Sequence, residues 1–262
     1  MPKLSIITIN YNNGKGLHKT IESVIGQSFT DYEYILIDGG SADESKQIIE
    51  KYKDRFVYWI AEKDNGIYDA MNKGIDKATG EYTMFLNSGD YLPDKNVLLE
   101  FSKVSTATTA DIFYGNILLE DADNEIKDHE YPSALSLDFW KIYTINHQAA
   151  FIKRSLFTEI GKYDMAYALA ADYAFFLKCF IYGKLFSHIN KQLVYFKLDG
   201  VSGENKSQYQ LQMQQAWNNI TPGYLKLLYT EHHDFTLMLK HRIMILAKNL
   251  NRQYGRLKKT FR

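Results

Sequence analysis

Within residues 4–90, short apolar runs alternate with stretches of helical spacing, and this alternation constrains the fold more than any other feature. Leu4 to Ile9 ends at Asn10-Tyr11-Asn12-Asn13-Gly14, and Leu17, Ile21, Val24 and Ile25 then mark one helical face. Tyr34 to Ile37 stops at Asp38-Gly39-Gly40-Ser41, and Asp43 to Lys53 resumes as helix with Ile48 and Ile49 inward. Phe56 to Ile60 predicts a third strand, Ile67 to Ala78 a helix, and Tyr82 to Leu86 a fourth strand ending at Asn87-Ser88-Gly89-Asp90. Strand and helix at this spacing make βαβ units, so the expected class is α/β: a Rossmann-like, mostly parallel central sheet flanked by helices.

The pattern loosens after Asp90. Strand is expected over Ile112 to Leu119, followed by an acidic turn at Glu120 to Glu125 and a polar stretch to Pro132. Ala149 to Phe157 and Ala171 to Tyr182 read as core elements, the second a helix. From Gln208 onward helix dominates, broken at Thr221-Pro222-Gly223. The expected organisation is a catalytic domain over residues 1–205, with halves 1–92 and 93–205, and a helical extension over residues 206–262.

The alternation sets three polar loops just beyond the carboxyl ends of successive strands, where open α/β sheets bind ligands. Asp38 reads either as part of a helix entry, with Ser41 or Asp43 capping, or as a carboxylate facing a nucleotide base or ribose beside Gly39 and Gly40. Asp90 closes a turn or, if a pyrophosphate lies at this edge, holds a hard cation such as Mg2+ or Mn2+. Asp69 and Lys73 form a helical i,i+4 ion pair, while Asn72 and Lys73 also suit a ribose or diphosphate. Asp172, among alanines, is an N-cap or a general base whose pKa partial burial would lift. His147-Gln148 is the other polar pair in an apolar setting, and a lone histidine there is more often a hydrogen-bonded core residue than a ligand.

Bulk properties exclude little but do exclude something. A formal net charge of +0 gives no global reason to bind nucleic acid. The single cysteine, Cys179, admits no intramolecular disulfide, and its apolar neighbours point to inert core in a reducing compartment. No apolar stretch approaches the ~18 residues that span a bilayer, and the N-terminus has no signal-peptide pattern, which together predict a cytoplasmic protein.

Taken together, Ser5-Ile6-Ile7-Thr8-Ile9-Asn10-Tyr11-Asn12, Ile35-Leu36-Ile37-Asp38-Gly39-Gly40-Ser41, the stretch from Asp64 to Gly74, Phe85-Leu86-Asn87-Ser88-Gly89-Asp90 and Ala171-Asp172-Tyr173 resemble the family 2 glycosyltransferases. The resemblance covers about Leu4 to Gly200 and is closest to the bacterial branch that builds capsule, exopolysaccharide or lipopolysaccharide. It implies the GT-A fold, and a nucleotide-diphosphate sugar as donor, UDP-sugar favoured over GDP or dTDP carriers. Donor contacts would come from Thr8, Asn10, Tyr11, Asp38, Asp69, Asn72, Lys73, Asn87 and Ser88, metal binding from Asp90, and acceptor contacts from His147 and Gln148. Asp172 would take the proton of the acceptor hydroxyl in a single inverting displacement through an oxocarbenium-like transition state. Two positions depart from the family pattern. Asn87 stands where many members carry aspartate, which weakens the case for a metal, and Ala171 stands where members often have glutamate.

From Lys240 to Arg262 the chain carries eight lysines and arginines, no acidic residue, and apolar Ile243, Met244, Leu246, Ala247 and Leu250. This reads as a solvated helix end, or as a peripheral attachment to the anionic cytoplasmic face of an inner membrane where a lipid-linked acceptor resides. Two other classes remain open from sequence: a nucleotide-sugar binding module without catalysis, against which Asp172 argues, and a nucleotidyltransferase, against which the missing arginine between Asn10 and Leu17 argues.

Overall fold

The computed structural model describes residues 1–121, 123, 125–198 and 205–227. By compactness the chain divides into Met1–Ile220 and Thr221–Arg262, and every strand and helix named below belongs to the first unit. The basic segment from Lys240 to Arg262 lies outside the described residues.

The first half follows the apolar runs closely. Strand β1 (Leu4–Asn10) is buried at every position, as a strand covered on both faces must be, and β2 (Tyr32–Asp38) is nearly so. Between them α1 (Gly14–Ile25) turns Leu17, Ile21 and Val24 inward. Helix α2 (Ser45–Tyr52) leads through a 3-10 turn at Lys53–Arg55 into β3 (Tyr58–Ala61), which alternates half-buried and exposed residues as an edge strand does. This strand starts two residues later than Phe56. The Phe56 ring instead packs edge-on against Tyr34, with centroids 5.1 Å apart. Helix α3 (Ile67–Lys77) then returns the chain to β4 (Tyr82–Phe85).

The second half differs more from expectation. Helix α4 (Val97–Ala107) precedes β5 (Ile112–Glu120), and the stretch beyond the acidic turn contributes β6 (Ile126–His129), an exposed strand paired antiparallel with β5. Helix α5 (Leu137–Ile142) follows. The expected element at Ala149 to Phe157 is a 3-10 turn (His147–Ala149), β7 (Ala150–Lys153) and α6 (Leu156–Glu159). Helix α7 (Ala171–Ile181) crosses to β8 (Phe186–Lys197), and α8 (Lys206–Ile220) packs on α7. Strand β8 escapes a period-two reading because Asn190 and Lys191 interrupt it and its register with β5 shifts around Asn116.

The elements form one 8-stranded sheet in the order β3-β2-β1-β4-β7-β5-β6, with β8 on the other side of β5. Strands β3, β2, β1 and β4 are parallel, and β7 joins antiparallel to both β4 and β5. In this register Asn10 lies beside Asp38, so the carboxyl ends of β1 and β2 finish level. Because β7 runs antiparallel to β4, the 3-10 turn before it brings His147 and Gln148 to that same edge.

Candidate active site

The loop after β4 is fastened before it can carry chemistry. Thr20 Oγ1, from α1, donates to the Asp90 carbonyl at 2.7 Å and accepts from the Gly89 amide at 3.0 Å. Asn13 Nδ2 donates to the Ser88 carbonyl at 2.9 Å. Gly89 takes φ +105°, a conformation side chains rarely adopt, and a Cβ there would stand 3.2 Å from Asn13 Nδ2. This turn points the Asp90 side chain inward. Its Oδ2 accepts from Gln148 Nε2 at 3.0 Å and its Oδ1 from the Lys197 amide at 3.1 Å.

Three residues away, Asn87 begins a second chain of contacts. Its Nδ2 lies 3.2 Å from His147 Nε2, and His147 Nδ1 lies 2.9 Å from Asp172 Oδ2. Asp172 Oδ1 accepts from the Tyr68 hydroxyl and the Tyr173 amide, both at 2.8 Å. The fold thus sets two chains of polar contacts side by side, Gln148 and the Lys197 amide on Asp90, and Asn87–His147–Asp172, with residues 87–90 and 147–148 contributing to both.

Asp172 is the second residue of α7 and not its N-cap, which is Ala170. Burial pushes the Asp172 carboxyl up, but hydrogen bonds from His147, the Tyr68 hydroxyl and the Tyr173 amide together hold it below the usual carboxylate value. This corrects the expectation of a lifted pKa, which considered burial without the donors that burial brings. Burial and the nearby Asp172 charge push Tyr68 well above its ordinary value, so its hydroxyl remains a donor.

The loop after β2 turns its carboxylate inward. Asp38 is fully buried; Oδ2 accepts from Asn10 Nδ2 at 2.7 Å and Ser41 Oγ at 2.6 Å, and Oδ1 from the amides of Gly40 and Ser41 at 3.1 and 2.8 Å. Its four hydrogen bonds lie within the protein. Asn10 Nδ2 also reaches Ser45 Oγ at 2.9 Å, while Asn10 Oδ1 is buried without a partner. The N-cap position of α2 is Glu44, and Asp43 Oδ1 accepts from the amide of Ser45, the helix's first residue, at 3.1 Å. On the outer side of this loop Tyr11 is 65% exposed, and a Cβ on Gly39 would stand 2.5 Å from Asp64 Oδ2 and 3.3 Å from the Tyr11 ring. Tyr11, Gly39 and Asp64 are therefore immediate neighbours.

The other expected donor contacts separate. Thr8 is buried within the sheet, its hydroxyl 2.9 Å from the Tyr34 hydroxyl. Asn72 clamps Tyr163 at both ends, donating to its carbonyl at 2.9 Å and accepting from its amide at 3.1 Å. Lys73 pairs with Glu62 at 2.9 Å and with Asp69 at 3.7 Å, and Asp69 accepts from the Asn65 amide at 2.9 Å.

Sequence reasoning passed over Tyr68, Thr20 and the Lys197 amide. Tyr68 shares a helical face with Met71 and Ile75, so its spacing reads as core, and Thr20 sits among the inward residues of α1. No local signal marks a backbone amide at the end of β8.

The fold is that of the S. aureus TarS 1–349 structure, which superposes with a TM-score of 0.63 over 84% of this chain and 72% of that one at 17% identity. It is also that of the mannosyltransferase PcManGT from Pyrobaculum calidifontis in complex with GDP-Man and Mn2+, with a TM-score of 0.65 over 84% of this chain and 65% of that one at 14% identity. This is the GT-A fold. Residues 5–163 match the family described as Glycosyl transferase family 2, and the chain belongs to that family. It is similar to a PGL/p-HBAD biosynthesis glycosyltransferase of Mycobacterium bovis, 32% identical over 184 residues that cover 68% of this chain and 70% of the relative. The protein is a glycosyltransferase.

Proposed function

We propose that this glycosyltransferase moves a sugar from a nucleotide-diphosphate donor, UDP-sugar first, to a hydroxyl of a saccharide or lipid-linked acceptor in bacterial surface polysaccharide assembly. TarS has been solved with UDP and with UDP-GlcNAc, which supports a uridine donor here. The observation that carries the reading is the buried network that ties an ionised Asp172 to the Asn87–Asp90 loop at the carboxyl edge of the sheet.

In this reading residues 1–92 bind the donor, residues 93–205 the acceptor, and 206–262 form an extension whose basic tail meets an anionic membrane surface. The exposed Tyr11 face, with Gly39 and Asp64, receives the nucleobase. Asp38 and Asn10 act from behind, holding that loop in place. Asn72 and Lys73 shape the α3 side, and Ser88 presents the loop backbone to the diphosphate. Gln148 orients Asp90, and the acceptor enters beside His147.

The described residues include no cluster of three His, Cys, Asp or Glu side chains that would cage a metal by itself. They do fit a hard cation that draws most ligands from the donor's phosphates and water: Asp90 offers a carboxylate, and the buried Asn87 Oδ1 and Gln148 Oε1 oxygens have no hydrogen-bond partner. When bound there, Mn2+ or Mg2+ supplies charge compensation for the departing diphosphate.

The chain's own part is proton transfer. Asp172 Oδ1 is occupied by Tyr68 and Tyr173, whereas Oδ2 takes one hydrogen bond, from His147, and keeps room for the acceptor hydroxyl. As the acceptor oxygen bonds to the anomeric carbon and the bond to the diphosphate breaks, its proton passes to Oδ2. Attack opposite the leaving group inverts the anomeric centre.

Calorimetric titration with UDP, GDP and dTDP, each with and without Mn2+, tests the donor reading. The expected result is Mn2+-enhanced binding of UDP. A folded protein that binds none of the three overturns it.

A further inference from the structure

The hydrogen bonds on the two sides of His147 have different chemistry, and that difference fixes the ring. Asp172 is held ionised, so its carboxylate is purely an acceptor, and the Nδ1 atom 2.9 Å from Oδ2 must carry the proton. With Nδ1 donating to Asp172, the lone pair of this tautomer lies on Nε2. The group facing that lone pair at 3.2 Å is the Asn87 Nδ2, a donor. The opposite end of the amide, Oδ1, is buried and carries no hydrogen bond. Donor and acceptor therefore alternate without conflict from Asn87 through the imidazole to Asp172.

A carboxylate at position 87 would break this order. It has no N–H to offer Nε2, and it would set a second buried acceptor against a ring that already donates to Asp172. An amide at 87 is the side chain of that size that satisfies this tautomer and also turns an oxygen away from it.

We infer that His147 is a positioning residue for the base, and that Asn87, at the head of the loop carrying Asp90, is the amide that sets its tautomer. The inference rests on Asp172 as the base. The relay holds Oδ2 in place against the acceptor hydroxyl and fixes it relative to the diphosphate end of the site. The ring is braced for this role: Phe85 meets it edge-on with centroids 6.5 Å apart, and Asn146, just before it, is held by the Tyr131 hydroxyl at 2.6 Å.

The first arm of the test needs no substrate. Long-range 1H–15N correlation on the full chain, with the His147 signal assigned by its loss in His147→Ala, is expected to show the Nδ1–H tautomer. Asn87→Asp is expected to abolish that pattern. A wild-type ring protonated on Nε2 alone, or a tautomer unchanged in Asn87→Asp, overturns the inference.

The second arm follows release of UDP from UDP-GlcNAc by hydrolysis. His147→Ala is expected to lower kcat by about 100-fold, the scale of a misplaced reacting group. KM should stay within about threefold, since donor binding is untouched. His147→Asn, whose amide N–H replaces Nδ1–H, should recover about tenfold of that loss. Read at saturating donor and Mn2+, so that its effect on the cation does not count, Asn87→Asp should lower kcat in the native background but add nothing in His147→Ala, the mark of two residues acting through one contact. Unchanged kcat in His147→Ala, a loss carried by KM, or no recovery in His147→Asn overturns the inference. Full turnover by Asp172→Asn would instead sink the base reading and leave the tautomer result standing.

Discussion

Asn10 and Asp38, level with each other at the ends of two parallel strands, are joined side chain to side chain at 2.7 Å. With Ser41 and the amides of Gly40 and Ser41 completing the set, a fully buried carboxylate becomes the centre of the loop. Removing it leaves several buried donors without an acceptor. Asp38→Ala is expected to cost about 3 kcal/mol or more in urea unfolding, on the scale of hydrogen bonds to a charged group. Asp38→Asn, which retains one acceptor oxygen, should cost less. If both variants match the wild type in stability while losing UDP affinity, the carboxylate contacts the donor directly.

Asp172 is expected to lose function without losing the nucleotide. Asp172→Asn should lower kcat by about 10²- to 10⁴-fold, the range for a general base, with the UDP dissociation constant little changed. The pH dependence comes from the depressed carboxyl. A base with its pKa held below the ordinary 3.8 stays ionised through the neutral and mildly acid range. Its protonation should therefore produce no fall in kcat between about pH 7 and pH 5. A kcat that drops tenfold over that interval, in a protein still folded by circular dichroism, would contradict the assignment.

Asp90 should separate metal from nucleotide. Its carboxylate is the acidic group on the loop proposed to meet the diphosphate, so Asp90→Ala should abolish the gain in UDP affinity that Mn2+ gives and leave the metal-free affinity nearly intact. Calorimetry with and without Mn2+ reads the two terms apart. An undiminished Mn2+ effect in the variant would place the cation elsewhere.

The first half of the fold was legible because its strands are covered on both faces: Leu4–Asn10 and Tyr32–Asp38 advertise themselves as apolar runs, and the loops after them fall where ligand sites form. Strand β8 was not legible, since its pairing with β5 is bulged and polar residues interrupt its centre. The site divides similarly. Asp172 and His147 stood out as polar residues in apolar settings and Asn87 as the start of a strand-end loop, but their mutual contacts depend on β7 running antiparallel to β4, which no local pattern records. Asp38 shows the opposite case, where the sequence marks the residue but not its partners. A carboxylate before two glycines looks turned toward a ligand, and the donors that claim it come from β1 and from Ser41.

At the amino end of the sheet, away from the site, Glu33 makes a prediction about stability alone. Its carboxylate accepts from Ser5 Oγ at 2.6 Å, the Thr79 hydroxyl at 2.8 Å and the amides of Thr79 and Gly80, tying β1 and β2 to the entry of β4. Burial pushes the Glu33 carboxyl up, but these donors outweigh it and hold the group below its ordinary 4.5. A carboxylate depressed in the folded state contributes stability that is complete above its unfolded pKa and is lost as pH falls through the folded value. Glu33→Gln can still accept at one oxygen, and Thr79 can turn its hydroxyl toward the new amide, so the cost at pH 7 should be about 1 kcal/mol. Glu33→Ala leaves three donors unmet, since the Gly80 amide keeps Ser5 Oγ at 2.8 Å, and should cost about 3 kcal/mol. The difference between wild type and Glu33→Gln should be largest at neutral pH and should shrink as pH falls below about 4.5 in urea unfolding, because only the wild type loses a charge there. A gap that stays constant down to about pH 3 would mean the carboxylate's charge contributes nothing to the fold, and that its hydrogen bonds act as neutral ones would.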